Sequence, residues 1–506
     1  MTIKKAGPRW WYCILHLINQ KRLLFLSICG AAVIGFVTPD NLKILLLILG
    51  LIGYVILVLA ATRESNIKRC IPPFLLCILF QDTIVNLLGS KGVFLSYLDE
   101  LFVLICVPAL MINFLRGKKI AGGYIFLSMV GMVLFGMVSS ILHSNPFNIT
   151  FQGMQLMIKG LLYVFVFANI SFTRADLLHY VKWVKVAAIG VLIFSVVDLV
   201  MPSTFRGLLG ITASVDYRVG VPSLQSLFIH PGIYGWFMTL VGIYLAVNYK
   251  IKTDPRYFYW ACVFFFFALL SFRFKTIVSI IVIALIFYLL SGMKKMLTFI
   301  IPASVVVAIV YLFAGNYIME LTDLTFSRYI EVDVMKSARK AMYYFGFVIA
   351  NENFPFGVGF GRYGGYIAKE YYSPVYYEYG MNTIYGLTPD NPMWAMDTYW
   401  PYILGELGYF GAGVLLALFI YLIVKLIANY KSIVDPVARH FVLFAGLVLI
   451  HALIESSGEP VFNSSPQNVF IFTASGIALS IVSARKKTMD LHTLKNQSMR
   501  GHLFGN

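Results

Sequence analysis

Long apolar segments with few charges recur along almost the whole chain, and they limit its fold more than any other feature. An α-helix rises about 1.5 Å per residue, so roughly twenty apolar residues are needed to cross the hydrocarbon of a bilayer. The apolar segments lie near residues 23–38, 44–61, 71–88, 94–115, 123–142, 152–171, 184–201, 226–248, 257–272, 276–292, 297–314, 398–424, 440–456 and 467–483. The sequence therefore predicts an all-α polytopic integral membrane protein with about fourteen transmembrane helices.

The composition agrees with a membrane location. Of the 506 residues, 59% are hydrophobic and 12% are charged, whereas a soluble domain has about 25% charged residues. The net charge of +17 could indicate a nucleic-acid partner, but the cations lie mostly in short connections between apolar segments. We therefore expect the bilayer as a partner and no nucleic acid. The six cysteines lack the paired spacing of metal sites, so no metal is expected.

Basic residues orient the predicted helices. Arg63, Lys118, Lys250 and Lys425 each follow an even-numbered segment, and basic connections stay in the cytoplasm. This pattern predicts an even number of spans and two cytoplasmic termini. The resulting division has helices 1–11 in residues 1–314, a large extracytoplasmic loop in 315–397, helices 12–14 in 398–483 and a cytoplasmic tail in 484–506.

The large loop is too aromatic to be disordered. Eight tyrosines fall between residues 363 and 385, and Trp394 and Trp400 follow them. The segment 328–350 has the apolar stripe of an amphipathic helix. We therefore predict a small folded cap whose aromatic rings either stack on sugar rings or anchor the cap at the membrane interface.

Arg273 and Lys275 lie in a tight external turn between the ninth and tenth segments, where positive charge is disfavoured. A cation inside the hydrocarbon costs about 2.5–3.5 kcal/mol. Either both side chains extend to the lipid headgroups, or they bind an anionic ligand such as a diphosphate, which the planar guanidinium suits. Asp99 and Glu100 lie on the same predicted side at the start of the fourth segment, as a cavity lining or as structural ion pairs.

A glycine-rich stretch, residues 356–365, includes Arg362. A nucleotide-binding loop would need a preceding strand and a following helix, and the predicted position is extracytoplasmic. We interpret the stretch as a tight turn whose backbone amides approach an anion.

Several short motifs occur in an order that is similar to a known family. The motifs are Tyr97–Phe102, Phe228–Gly232, Ser271–Arg273, Phe354–Gly361 after Arg339, and Asp397–Gly411. Together they resemble the bacterial O-antigen polymerase and O-antigen ligase superfamily, which are membrane glycosyltransferases of the class C type. The likeness covers about residues 90–425, and it depends on the order and topology of the motifs more than on any one of them.

One position departs from the ligase pattern. The helix after the large loop usually begins with a His-Asn pair in ligases, whereas Asp397 and Thr398 stand here. The departure favours a repeat-unit polymerase for O-antigen, capsule or exopolysaccharide, with the O-antigen ligase as the alternative.

The resemblance implies metal-independent, inverting glycosyl transfer at the outer face of the bacterial inner membrane, without a nucleotide or other cofactor. The donor would be a glycan on a polyprenyl diphosphate, and a chain-length regulator is an allowed protein partner. Asp397 would be the base, with Asp390 as the second choice, and Arg273 would neutralise the leaving diphosphate. The expected diphosphate- and substrate-binding residues are Arg218, Arg273, Lys275, Arg328, Arg339, Arg362, His230, Asp99, Glu100, Tyr363, Trp394 and Trp400.

Two other classes of function fit the same span count. A lipid-linked oligosaccharide flippase or other transporter would usually carry internal repeats and a binding site near the midplane, and the sequence has neither signal. A receptor or scaffold that binds glycan without chemistry stays open.

Overall fold

The computed structural model describes residues 39–218, 220–291 and 333–503, and the side chains of 48–218, 220–290 and 333–485. The chain divides into two compact units, Met1–Thr62 and Arg63–Asn506. In the first unit the described part is one apolar helix, α1, at Pro39–Ala61. The apolar segments predicted near 23–38 and 297–314 lie outside the described residues.

The second unit is almost entirely helical. Its first half contains α2 (Glu64–Leu79), α3 (Gln81–Leu88), a 3-10 helix (Gly89–Tyr97), α4 (Leu98–Leu115), α5 (Gly123–Leu142), α6 (Phe147–Ala168), α7 (Arg174–Val200), α8 (Pro202–Leu208) and a two-stranded hairpin of β1 (Tyr217–Arg218) and β2 (Val221–Pro222). The second half contains α9 (Pro231–Lys252), α10 (Pro255–Leu269), α11 (Phe274–Ser291), α12 (Ala338–Glu352), α13 (Tyr366–Glu370), α14 (Val375–Glu378), α15 (Tyr399–Asn429), α16 (Pro436–Glu455) and α17 (Gln467–Leu503).

Seven helices in the described part of the chain are long and apolar enough to cross a membrane, or up to eight if α1 and α2 form one bent span. This confirms an all-α, multi-pass membrane protein, while the number of fourteen stays a prediction. Several differences lower the number. Two predicted segments lie outside the described residues, and α9 is not among the seven helices. The predicted third segment is divided at Phe80 between α2 and α3, and α10 and α11 are short apolar helices.

Helix α9 is largely enclosed by its neighbours. Its Trp236 and Phe237 have no exposed surface, and a Cβ at Gly242 would lie 2.6 Å from the ring of Phe265 in α10. Small residues allow this close approach of neighbouring helices. Helix α9 contains glycine, tyrosine and asparagine and is less apolar than a helix that faces lipid. This composition is tolerated because the helix is surrounded by other helices.

The connections of the second unit gather at two ends. Lys68 lies 3.0 Å from Asp176, and Arg174 lies 3.4 Å from Asp435. These ion pairs join connections that the charge pattern assigns to the same side, and we call this the basic end. The hairpin, the α10–α11 turn and the segment 333–398 lie at the other end, which we call the cap end.

The predicted amphipathic helix begins later than expected. Of the predicted range 328–350, residues 328–332 lie outside the described part, and residues 333–337 are not α-helical. The Asp333 carboxylate accepts a hydrogen bond from the Met335 amide and starts a 3-10 turn, and Ser337 is extended with φ −133°. The α-helix therefore starts at Ala338.

Helix α12 and the segment after it share one hydrophobic core. Tyr363 and Tyr376 have no exposed surface. The Tyr363 hydroxyl donates to the Met342 carbonyl (2.6 Å), and the Tyr376 hydroxyl accepts from the Gly364 amide (3.0 Å). Part of the aromatic content of the loop is therefore structural.

Candidate active site

A polar cluster lies at the cap end, where α9, α11 and α16 meet. Lys275 Nζ is 2.9 Å from Glu455 Oε2 and 2.5 Å from Glu459 Oε2. Gln467 Nε2 donates to Glu459 Oε2 (3.2 Å), and His230 Nδ1 lies 3.9 Å from Glu459 Oε1. We call these five residues the Lys275 cluster. Glu455 is fully buried and Lys275 is 12% exposed, so the charges depend on one another for stabilisation.

The turn before α11 is held by the hairpin segment. Phe272 has a positive φ of +50°, and its carbonyl accepts a hydrogen bond from Arg218 Nη1 (3.1 Å). The Ser223 hydroxyl donates to the Ser271 carbonyl (2.8 Å). These contacts hold the backbone of the two residues before Arg273 and bring the predicted Arg218 to the same turn.

The N-terminus of α9 faces the Glu459 carboxylate. A Cβ added to Gly232 would lie 2.2 Å from Glu459 Oε1, and the positive end of a helix dipole favours a carboxylate there. Burial raises the pKa of Glu459, but the charge and hydrogen bond of Lys275, together with His230 and Gln467, outweigh it, and the pKa is lowered overall. Glu459 is therefore an anion that the fold stabilises.

A second ion pair lies on the cap side of the site. Arg339 Nη2 is 3.5 Å from Asp397 Oδ2. Burial raises the pKa of Asp397, and Glu459 adds to the shift, while Arg339, Lys275 and Lys369 partly offset it. These interactions place Asp397 within electrostatic reach of the Lys275 cluster.

Arg273 belongs to the same site. Partial burial lowers the pKa of His230, Glu459 partly offsets this, and the charges of Arg273 and Lys275 lower the pKa further. The structure therefore brings together six of the predicted residues at one end of the bundle: Arg218, Arg273, Lys275, His230, Arg339 and Asp397.

The cap is attached beside this site. Trp400 Nε1 donates to Ser456 Oγ (2.9 Å), and the Tyr343 hydroxyl donates to the Ser457 carbonyl (2.8 Å). Both acceptors lie between Glu455 and Glu459. The predicted Trp400 is thus a contact between the start of α15 and the end of α16.

Asp99 and Glu100 take part in a different cluster. Lys159 Nζ lies 2.7 Å from Asp99 Oδ2 and 2.6 Å from Glu100 Oε1. Lys159 comes from the middle of α6, and both it and Asp99 are buried. The two carboxylates therefore act as partners of a buried lysine between α4 and α6.

The glycine-rich stretch brings backbone amides to a carboxyl group of the chain itself. The amides of Arg362 and Tyr363 donate to Glu406 Oε1 (2.9 and 3.2 Å), and Arg362 Nε donates to Asn145 (2.7 Å). Helix α15 is interrupted at Gly408, with φ +65°, where a Cβ would lie 2.4 Å from the backbone of the stretch. The stretch fastens the cap to α15.

The remaining predicted residues lie away from these contacts. Tyr363 is enclosed in the cap core, so the expectation that it contacts sugar does not fit this conformation. Trp394 is 36% exposed and packs edge-on against Tyr385 at 5.1 Å. Asp390 is exposed in a turn. Arg328 lies outside the described residues.

The sequence interpretation missed Glu455, Glu459 and Lys159. Each had a signal, because an ionisable residue within or directly after an apolar segment is a functional candidate. Their partners are far away in sequence, 180 residues for Lys275 and Glu455, so the pairing itself required the structure.

Among the described residues, no group of three or more His, Cys, Asp or Glu side chains is arranged to hold a metal ion. No family model matches the chain, and no curated protein is similar to it at a significant level.

Proposed function

We propose that this protein polymerises polyprenyl-diphosphate-linked oligosaccharide repeat units into O-antigen, capsular polysaccharide or exopolysaccharide. The observation that supports this most is the juxtaposition of the Arg339–Asp397 pair and the Arg273 turn at one end of a bundle of apolar helices. In a lipid-linked diphosphate the lipid lies in the bilayer and the phosphates lie at the membrane surface. The attached sugar would then extend to the cap.

The two arginines are the proposed diphosphate ligands. Lys275 already balances Glu455 and Glu459, and Arg218 holds the turn while it also pairs with Asp216 at 3.2 Å. Arg273 and Arg339 present guanidinium groups, which bind phosphate through paired hydrogen bonds. Lys275 and Arg218 therefore position the site in this proposal.

Asp397 is the proposed base. Asp397 is half-buried, with 39% of its side chain exposed, and a carboxylate with a raised pKa takes up a proton more readily than an ordinary aspartate. The acceptor hydroxyl oxygen forms a bond to the anomeric carbon from the face opposite the diphosphate, and its proton passes to Asp397. The bond between the anomeric carbon and the diphosphate oxygen breaks, and that oxygen keeps the electron pair. Arg273 and Arg339 stabilise the developing charge.

The topology belongs to the same proposal. The basic end faces the cytoplasm because positive residues gather there, and the cap end faces outward at the bacterial inner membrane. The architecture would be that of a class C membrane glycosyltransferase with about fourteen helices.

The test is a reaction of the purified protein in proteoliposomes with a lipid-diphosphate repeat unit. A ladder of products that disappears with Asp397→Asn supports polymerisation. Transfer of single glycans to lipid A core would make the protein a ligase, and unchanged substrate would favour transport or binding.

A further inference from the structure

A large cavity lies at the end of the bundle away from the cap. It has a volume of about 720 Å³ and is enclosed by α2, α7, α9, α10, α16 and α17. Its floor is apolar and includes Ala188, Leu240, Phe444 and Phe470. Ligand pockets span about 300–1,000 Å³, so the cavity is large enough for a ligand, and its lining requires an apolar one.

The cavity opens sideways between α7 and α10. Ile189 and Ile193 are each 58% exposed, and Trp260 is 53% exposed; all three line the opening. Helix α7 is apolar and long enough to span a membrane. The exposed side chains therefore face hydrocarbon, and an acyl chain can enter from the bilayer without crossing water.

Cations line the cavity at the level of the membrane surface. Helix α7 has 27 residues, more than the roughly twenty that a span requires, and Lys185 lies where its apolar part begins. Arg256 lies in the first turn of α10 beside its capping residue Asp254. Lys252 Nζ lies 3.3 Å from the hydroxyl of Tyr257, which also lines the cavity. Lys185, Arg256 and Asp254 line the cavity, Arg256 Nη2 pairs with Asp254 Oδ2 at 2.9 Å, and Lys252 lies next to the lining. The remaining positive charge favours an anionic headgroup.

We propose that this cavity binds one acyl chain of an anionic glycerophospholipid, with the lipid phosphate between Lys185 and Arg256. The site is independent of the proposed reaction, because it lies at the basic end and shares no residue with the Lys275 cluster. The acyl chain fills the gap between α7 and α10. The headgroup contacts Lys185 and Arg256, which attract an anionic lipid more strongly than a zwitterionic one.

The test uses the full-length protein in detergent and phosphatidylglycerol with a photoreactive group in its acyl chain. Crosslinked peptides are mapped by mass spectrometry, with unlabelled phosphatidylglycerol or phosphatidylethanolamine as competitor. We expect labelling of cavity-facing residues of α7 and α10, and stronger competition by phosphatidylglycerol.

Two variants and their matched controls locate the site. Ala188→Trp fills the floor and should abolish cavity labelling, whereas Val186→Trp on the exposed face of α7 should not. The double variant Lys185→Glu, Arg256→Glu should reduce phosphatidylglycerol labelling by about fivefold or more, while Lys182→Glu should leave it unchanged.

The proposal is overturned if both lipids compete equally and the double charge reversal has no effect, since the label then reports ordinary bilayer contact. It is also overturned if folded Ala188→Trp keeps the same labelled residues. Should Ala188→Trp fail to fold, the charge reversal decides alone, because Lys185 and Arg256 are exposed and their replacement leaves the core intact.

Discussion

Glu459 and Gly232 are in direct contact across the start of α9, and a Cβ at residue 232 would overlap the Glu459 carboxylate at 2.2 Å. The absence of a side chain lets the helix N-terminus stabilise this carboxylate, which in turn holds Lys275. Gly232, in the motif Phe228–Gly232, thus contributes to the Lys275 cluster at the start of α9.

Gly232→Ala should therefore displace Glu459 and disturb the site. Overpacking costs about 1–3 kcal/mol of stability, and a displacement of about 1 Å in an active site can reduce its rate about a hundredfold. Thermal unfolding in detergent and the product ladder measure the two effects. Gly190→Ala in α7 is the matched control, because nothing lies within 4 Å of its added Cβ. A fully active Gly232→Ala would remove Glu459 from the site.

Lys275→Met should be strongly destabilising, because it leaves Glu455 and Glu459 without their shared cation. Breaking a buried ion pair costs about 3–5 kcal/mol, which denaturation in detergent can measure. Adding Glu455→Gln should recover part of the loss, since one uncompensated carboxylate is then removed. Lys336→Met, at an exposed position, is the control. Equal destabilisation by both lysine substitutions would contradict the pairing.

The apolar pattern predicted individual helices well where connections are polar. The segment 123–142 coincides with α5, because Gly122 and the polar connections on both sides end the apolar run. The pattern failed where a helix is interrupted inside a predicted segment, as at Phe80, since the Gln81 and Asp82 that follow are also compatible with a continuous helix. The pattern also predicted too early a start for α12. The apolar stripe continues through residues 333–337, and the 3-10 turn that Asp333 starts is not evident from the sequence.

The candidate site was partly predictable for a similar reason. Arg273 stood out because a charge beside apolar sequence is costly. Asp397 stood out only through the resemblance, because it stands where ligases usually carry a His-Asn pair. That Arg339 pairs with Asp397, and Glu406 with the amides of the glycine-rich stretch, depends on tertiary packing over tens of residues. Periodicity carries no information about such contacts.

Arg273→Lys should impair polymerisation even though it keeps the charge. The arginine fork donates two parallel hydrogen bonds to a phosphate, and lysine offers a single point charge. We expect the KM for the lipid-diphosphate donor to rise and kcat to fall, measured with purified protein in proteoliposomes. Arg174→Lys at the basic end is the control and should be neutral. If both variants behave like the unsubstituted protein, Arg273 does not bind the diphosphate.

The cap should be accessible from outside the cell, and the connection between α15 and α16 should not. Tyr377 in the cap is 54% exposed, and Val434 in that connection is 86% exposed. Each is replaced by cysteine in a separate variant, Tyr377→Cys and Val434→Cys. In a background without native cysteines, an impermeant maleimide should label residue 377 in spheroplasts and residue 434 only after permeabilisation. The reverse pattern would place the Arg273 turn in the cytoplasm and end the proposed mechanism.

Asp397→Asn should remove activity and raise stability together. Burial raises the pKa of Asp397, so its ionised form is less favourable in the folded protein than in the unfolded chain. The corresponding stability is present at low pH and is lost as the pH rises through the raised pKa, and asparagine avoids that loss at neutral pH.

The raised pKa of Asp397 also affects the pH dependence of the reaction. The acid limb of the kcat/KM profile should lie above the usual pKa range of aspartate. Arg339→Gln should move this limb to higher pH, because Arg339 partly lowers the pKa of Asp397. Loss of the base reduces the rate about 10²–10⁴-fold. Asp390→Asn, at the exposed turn, is the control with unchanged activity and pH profile. A purely structural role for Asp397 would leave the pH limb in place and lower the melting temperature instead.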